Sequence, residues 1–254
     1  MRRIFNVQLK DKITYISTTN ELFYDWNNFM FLGHYGVALA AKGIDKKTSL
    51  GTMFIASQFI DLIWPLFVVT GIEKVKIEVG NTVFTPLNFV YYPFSHSLGA
   101  VLLWALLFGA VFYAIKRRMR SSVILSFLVI SHWLLDYLTH KPDLPLFPWT
   151  GKKVGLGLWN SFELTIIVEM FIFTAGAFIY FLKTHSRNEK GFIGMWTMLV
   201  FLVSIYFLNI FGPPPPSDTV VGYMGFALWV FVIWAYWTDK YRSPGRFSKT
   251  RHYH

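Results

Sequence analysis

Six runs of about 20 predominantly apolar residues, near 52–72, 93–115, 121–140, 161–183, 191–211 and 219–238, leave this chain few folds to choose from. Each is long enough to cross a bilayer as a helix, and each is bounded by charges, glycine or proline. In hydrocarbon every backbone N–H and C=O must be satisfied within the segment, so helices are the economical answer. The expectation is an all-α polytopic transmembrane bundle of six spans, preceded by a short apolar helix at Phe31–Ala41 that is tilted or re-entrant, or a seventh span. Only 15% of the 254 residues are charged, against about a quarter in a soluble domain, which agrees with this reading.

The basic residues set an orientation. Lys42/Lys46/Lys47, Lys116/Arg117/Arg118/Arg120, Lys183/Arg187/Lys190 and the Lys240–Arg251 tail all fall on one side of a six-span bundle. The opposite loops carry fewer bases. The positive-inside rule makes the first side, with the C-terminus, cytoplasmic, in a bacterial-type inner membrane. The net charge of +10 therefore belongs to a membrane face, and nucleic acid is not an expected partner. There is no cysteine, so any metal must be held by His and carboxylates.

Four segments follow from composition: an N-terminal arm over 1–29, a membrane domain over 30–183, two scaffold helices over 184–238, and a basic cytoplasmic tail over 239–254. The abrupt change at Met30 raises the expectation that Met30 is the native start and 1–29 an extension; a short cytoplasmic arm is the alternative.

Ionisable groups are expensive at membrane depth and mark function by default. His132, Asp136 and His140 are spaced i, i+4, i+8, so each helical step drifts only about 40° and all three share one face. In the topology above they lie in the outer half of their helix. His96, in Ser95-His96-Ser97, opens the preceding span at the outer surface; Asp61 is near mid-span, Glu169 about two turns inside its helix, and His34 near the start of the short helix. The last two spans contribute none of these groups. The expectation is one pocket in which His34, Asp61, His96, His132, Asp136 and His140 supply ligands to a divalent metal. Zn suits such a set first, and Mn or Fe also fit. Asp143, in the three-proline loop Lys141–Pro148, or Glu169 would act as base or orient a ligand. A metal with an open position can activate water against a phosphodiester or acyl carbon. The depth favours membrane lipids as surroundings and a lipid-linked or phosphoester substrate.

Other readings use the same residues. They can relay protons or bind an ion in a carrier. They can also simply hydrogen-bond across helices and lock the bundle, a reading that His34 and Glu169 fit more readily. Glu163, His185, His252 and His254 read as solvated, and the abundant Trp and Phe as lipid contact.

Gly33-His34, Ile60-Asp61, Ser95-His96-Ser97 and Ser131-His132-Trp133-Leu134-Leu135-Asp136-Tyr137-Leu138-Thr139 together resemble the integral-membrane family described as membrane-bound metal-dependent hydrolases, and distantly zinc-dependent phospholipase C. The continuation through Pro142-Asp143-Leu144-Pro145 and Gly155–Ser161 is similar to a subgroup of bacterial membrane proteins, some labelled permeases. The resemblance implies a metal-dependent hydrolase with a His/Asp centre over residues 30–150. Ile63 stands where that family has a second Asp, Tyr91 where it has a further His, and Ser95 where it has Thr, which implies one metal ion more readily than two.

Overall fold

The computed structural model describes residues 32–245; the 1–29 arm, Met30 as a start and His252/His254 lie outside the described residues. Its elements are α1 (Leu32–Ile44), α2 (Leu50–Ser57), α3 (Phe59–Val69), β1 (Lys74–Ile77), β2 (Leu87–Tyr91), α4 (Pro93–His96), α5 (Leu98–Lys116), α6 (Met119–Thr139), β3 (Leu144–Pro145) and β4 (Lys153–Val154). After a 3₁₀ turn at Leu158–Asn160 come α7 (Phe162–Lys183), β5 (Thr184–Ser186), α8 (Glu189–Phe211), α9 (Asp218–Gly225), α10 (Leu228–Asp239) and β6 (Arg242–Pro244).

Among the described residues, five helical stretches are long and apolar enough to span a membrane: α5, α6, α7, α8 and the α9–α10 run. The pair α2 and α3 together pass the same test but meet at a 56° bend, as a broken sixth span or a re-entrant loop. The chain is thus a multi-pass helical bundle. Its outer surface is apolar, with Leu102, Leu103, Leu106 and Val111 of α5 exposed, as suits a lipid-facing helix.

The innermost element is α1. Leu32, Gly33, His34, Tyr35, Gly36, Ala38, Leu39, Ala41 and Lys42 are all buried. A helix covered on every side belongs to a core. Its 13 described residues rise only about 20 Å, short of a full crossing. It packs parallel to α7: Leu32 meets Glu169, Gly36 meets Ile172 and Phe173, and Gly43 meets Ile179 and Lys183. Small residues make this crossing close. A Cβ on Gly176 would fall 1.9 Å from the Gly36 carbonyl oxygen, and one on Gly36 would fall 2.6 Å from that of Ile172. Neither backbone can yield without separating the helices. Gly176→Ala should therefore cost more than about 2 kcal/mol, seen as a lower thermal midpoint in detergent. Gly151→Ala, which meets open space, should leave the midpoint unchanged.

Two spans differ from the sequence expectation in ways that shape the site. The run 52–72 is broken at Gln58, with φ −104° and ψ 8°, although no glycine or proline stands there. The run 93–115 is broken at Ser97, whose hydroxyl caps α5 by accepting from Ala100 N. A third feature is the β1–β2 hairpin over 74–91, which helix-period reading passed over as loop. It buries Val75, Leu87 and Phe89 and lies against the 3₁₀ turn, where Phe84 N donates to the Trp159 carbonyl. On the opposite face β5 pairs with β6, tying the start of the tail to the α7–α8 connection.

Candidate metal centre

Each functional side chain is delivered by an interruption or by the core helix. The break at Gln58 places Asp61 in the first turn of α3, where the N-terminal end of a helix favours a carboxylate. The same break leaves the carbonyl of Ser57, in the last residue of α2, to accept from His132 Nδ1 at 2.7 Å. His96 ends α4 just before the Ser97 cap. His132 and Asp136 lie one turn apart on the buried face of α6, and His34 reaches them from α1.

These five side chains converge. His34 Nε2 is 3.3 Å from Asp136 Oδ1, and His132 Nε2 is 3.3 Å from Asp136 Oδ2 and 3.5 Å from Asp61 Oδ2. His96 Nε2 is 3.2 Å from Asp61 Oδ1 and 3.9 Å from Asp136 Oδ2. The rings of His34 and His132 stack at 3.6 Å and 8°, and His96 meets His132 edge-on. Two sets have the spacing of a metal site, His34/His132/Asp136 and Asp61/His96/His132, and His132 belongs to both.

Hydrogen-bond partners fix which ring nitrogens carry hydrogen. A backbone carbonyl only accepts, so His132 Nδ1 donates to Ser57. Its Nε2 faces two carboxylates, where it carries either a proton or a metal. His96 is arranged in the same way, with Nδ1 2.6 Å from Ser95 Oγ, which is itself 2.6 Å from Glu73 Oε2. Glu73 Oε1 accepts from Phe94 N at 2.7 Å and from Ser95 N at 2.8 Å. With the carboxylate accepting, Ser95 donates its one proton to Glu73 and receives the hydrogen of His96 Nδ1. His96 Nε2, 3.2 Å from Asp61 Oδ1, then donates to that carboxylate when protonated and presents a lone pair only where a metal takes the proton's place. Burial pushes the Glu73 carboxyl above its ordinary range, against the lowering pull of the Ser95 hydroxyl and the nearby His96.

Lone pairs on nitrogen and oxygen facing one another at 3.2–3.5 Å repel unless a cation lies among them, either a proton or a metal. Both ring nitrogens of His34 and Asp136 Oδ2 are buried with no hydrogen-bond partner among the described residues. Buried polar atoms left in that state call for an ion or a water. The donor set, three imidazoles and two carboxylates without sulfur, fits a borderline divalent metal.

The other expected members lie outside the two ligand sets. His140 caps α6: its N still donates to the Asp136 carbonyl and its φ of −62° keeps it on the i, i+4, i+8 stripe, while its ψ of 143° turns the chain that follows. Its Nδ1 is 3.0 Å from Asp143 Oδ1, which also accepts from the Tyr92 hydroxyl at 3.1 Å. Burial, then the Asp143 charge, pushes the Tyr92 phenol well up, so it stays a neutral donor. Gly157 N and Leu156 N donate to the carbonyls of His140 and Tyr137, strapping the end of α6 in place. Glu169, on α7, belongs to neither ligand set. It accepts from Leu32 N at 3.1 Å, a carboxylate at the first described turn of α1. Glu73 is the functional residue that sequence reasoning missed: it stands in a loop 22 positions before Ser95 and belongs to no local motif.

A narrow cleft of about 20 Å³, lined by Asp61, Trp64, Phe89, His96, Asp136, His140 and Trp159, opens onto the cluster. Asp61 is the most open of the five ligand candidates, its side chain 24% exposed where the others are at most 5%. That is space on the order of one water molecule or ion, well below the volume of a ligand pocket.

The chain belongs to the YdjM inner membrane protein family, which matches residues 32–212. With its apolar spans, that makes it an integral inner membrane protein. No curated protein and no solved structure matches it.

Proposed function

We propose that the chain is a membrane-embedded, metal-dependent hydrolase acting on a lipid-linked or phosphoester head group. The observation that carries this reading is His132, pinned through Nδ1 to the Ser57 carbonyl so that its Nε2 stands between Asp61 and Asp136. His34, Asp61, His96, His132 and Asp136 would hold the ion, Zn first and otherwise Mn or Fe. Once bound, it would supply Lewis acidity toward a phosphoryl or carbonyl oxygen.

The chain's own groups supply the rest. Asp143 accepts the Nδ1 hydrogen of His140 and so holds that ring against the cleft, where its Nε2 can take up or release a proton. Trp64, Phe89 and Trp159 wall the cleft and limit water to its mouth. The positive-inside rule supports a cleft in the outer half of the bilayer and a C-terminus in the cytoplasm. The motif resemblance to membrane-bound metal-dependent hydrolases supports the same reaction class.

Metal analysis of the purified full-length protein is the direct test. Stoichiometric Zn, Mn or Fe is expected, lost in His34→Ala and His132→Ala, with chelation abolishing hydrolysis of a phosphodiester probe. Metal-free protein that drives pH-dependent uptake in liposomes would instead establish a carrier that uses these groups as a proton path.

A further inference from the structure

A second polar cavity, of about 200 Å³, lies on the face opposite the metal centre. It is lined by Lys42, Lys46, Lys47, Ser49, Thr184, Arg187, Asp239, Arg242, Ser243 and Pro244. Lys42 follows His34 by eight residues on α1, so the two sites are about 12 Å apart along the helix. The lining sits where α1, α7 and α10 end, which for a spanning bundle is the depth of lipid head groups.

Five cations face one carboxylate there. Lys42 Nζ is paired with Asp239 at 3.2 Å and donates to the Thr48 carbonyl at 2.7 Å. Lys46, Lys47, Arg187 and Arg242 have no ion-pair partner among the described residues. Arg118 and Arg120 add to the positive field by bonding the carbonyls of Lys47 and Ile44. Arg242 is 5% exposed, and its position is fixed: its terminal nitrogens donate to Ser186 Oγ, Thr184 Oγ1 and the Gly191 carbonyl. Its Nε is buried with no partner among the described residues. The Tyr180 and Phe181 rings, 5.1 and 5.3 Å from its guanidinium, and the single Asp239 carboxylate offset only part of the cost of holding Arg242 beside four further cations. An anion among them offsets the rest. Arg planes with hydroxyls close by suit the tetrahedral oxygens of a phosphate.

We infer that the cavity between the ends of α1, α7 and α10 is a binding site for a phosphate group, borne by an anionic phospholipid or free in solution. This rests on the α1–α7–α10 face alone and is independent of the metal centre. Lys46, Lys47 and Arg187 are exposed at its mouth, so changing them leaves the core intact. Each cation near such an anion is worth about fivefold in affinity.

The test uses full-length protein in neutral detergent, probed with phosphatidylglycerol against phosphatidylcholine by native mass spectrometry, and with inorganic phosphate by thermal shift. Preferential retention of phosphatidylglycerol, or stabilisation by phosphate, is expected, with a loss on the order of a hundredfold in Lys46→Gln/Lys47→Gln/Arg187→Gln. Lys152→Gln/Lys153→Gln, on the other face, should change neither. Response to phosphate alone would mark a soluble anion as the ligand, and response to the lipid alone a head group. No preference for either probe, or an equal loss in the Lys152/Lys153 variant, would overturn the site. None of these readouts passes through metal content or hydrolysis.

Discussion

Asp136→Asn should abolish metal binding while leaving the metal-free fold nearly unchanged. Asp136 is the hub of the cluster: one oxygen faces His34 at 3.3 Å, and the other faces His132 at 3.3 Å and His96 at 3.9 Å. The amide keeps the shape and loses the charge. Groups that only orient ligands cost about 10–100-fold in affinity when removed, so an anionic ligand at the centre should cost more, on the order of a thousandfold. Without metal the same change also removes one of two carboxylates facing each other across His132, which offsets the lost contacts. A metal at a thousand times its Kd stabilises the native protein by about 4 kcal/mol. The wild type should therefore gain thermal midpoint steeply with added Zn or Mn, and Asp136→Asn should show no gain. If the cluster only locks helices together, the variant will instead melt lower with or without metal, and the wild type will ignore the ion.

The architecture was legible because hydrocarbon permits so little. Runs of about 20 apolar residues bounded by Lys, Arg, Gly or Pro gave the number and ends of the spans to within a few residues, and Phe31–Ala41 was visible as too short to cross. Four of the ligand candidates lie in segments whose direction followed from that topology. The spacing of His132 and Asp136 survives because α6 is regular between them. The same spacing keeps His140 on the stripe, but it cannot show where the helix stops: Leu156 N and Gly157 N, 19 and 17 residues downstream, take the carbonyls of Tyr137 and His140, and the His140 ring turns to Asp143. The break at Gln58 left no trace in composition, yet it frees the Ser57 carbonyl that sets the tautomer of His132. The β1–β2 hairpin was missed because its strands are short and their burial is set by Trp159 and Tyr92, which are distant in sequence or beyond the strand end. Glu169 looked like a site residue by depth alone. What it meets is the backbone of α1, which only tertiary packing reveals.

Glu73→Gln should weaken metal binding through a proton it never hands to the metal. In the native chain the Glu73 carboxylate accepts from Ser95 Oγ at 2.6 Å, so the serine oxygen receives the His96 Nδ1 hydrogen and Nε2 is left to present a lone pair to a metal. Glutamine is nearly isosteric, and its amide oxygen can keep the bonds from Phe94 N and Ser95 N. Its NH₂ then faces Ser95 and donates. The hydroxyl must turn its proton toward His96 Nδ1, and the ring answers by carrying hydrogen on Nε2, where it points at Asp61 and cannot bind metal. The expected cost is about 10–100-fold in metal affinity, the range for residues that orient a ligand. Ser95→Ala breaks the same chain and should cost a similar factor, and because the two act through one path the double variant should lose little more than either alone. Metal titrations on the two single variants and the double variant measure this directly. Full additivity, or lower thermal midpoints at unchanged affinity, would show that Glu73 and Ser95 merely fasten the loop before α4 to the end of α3.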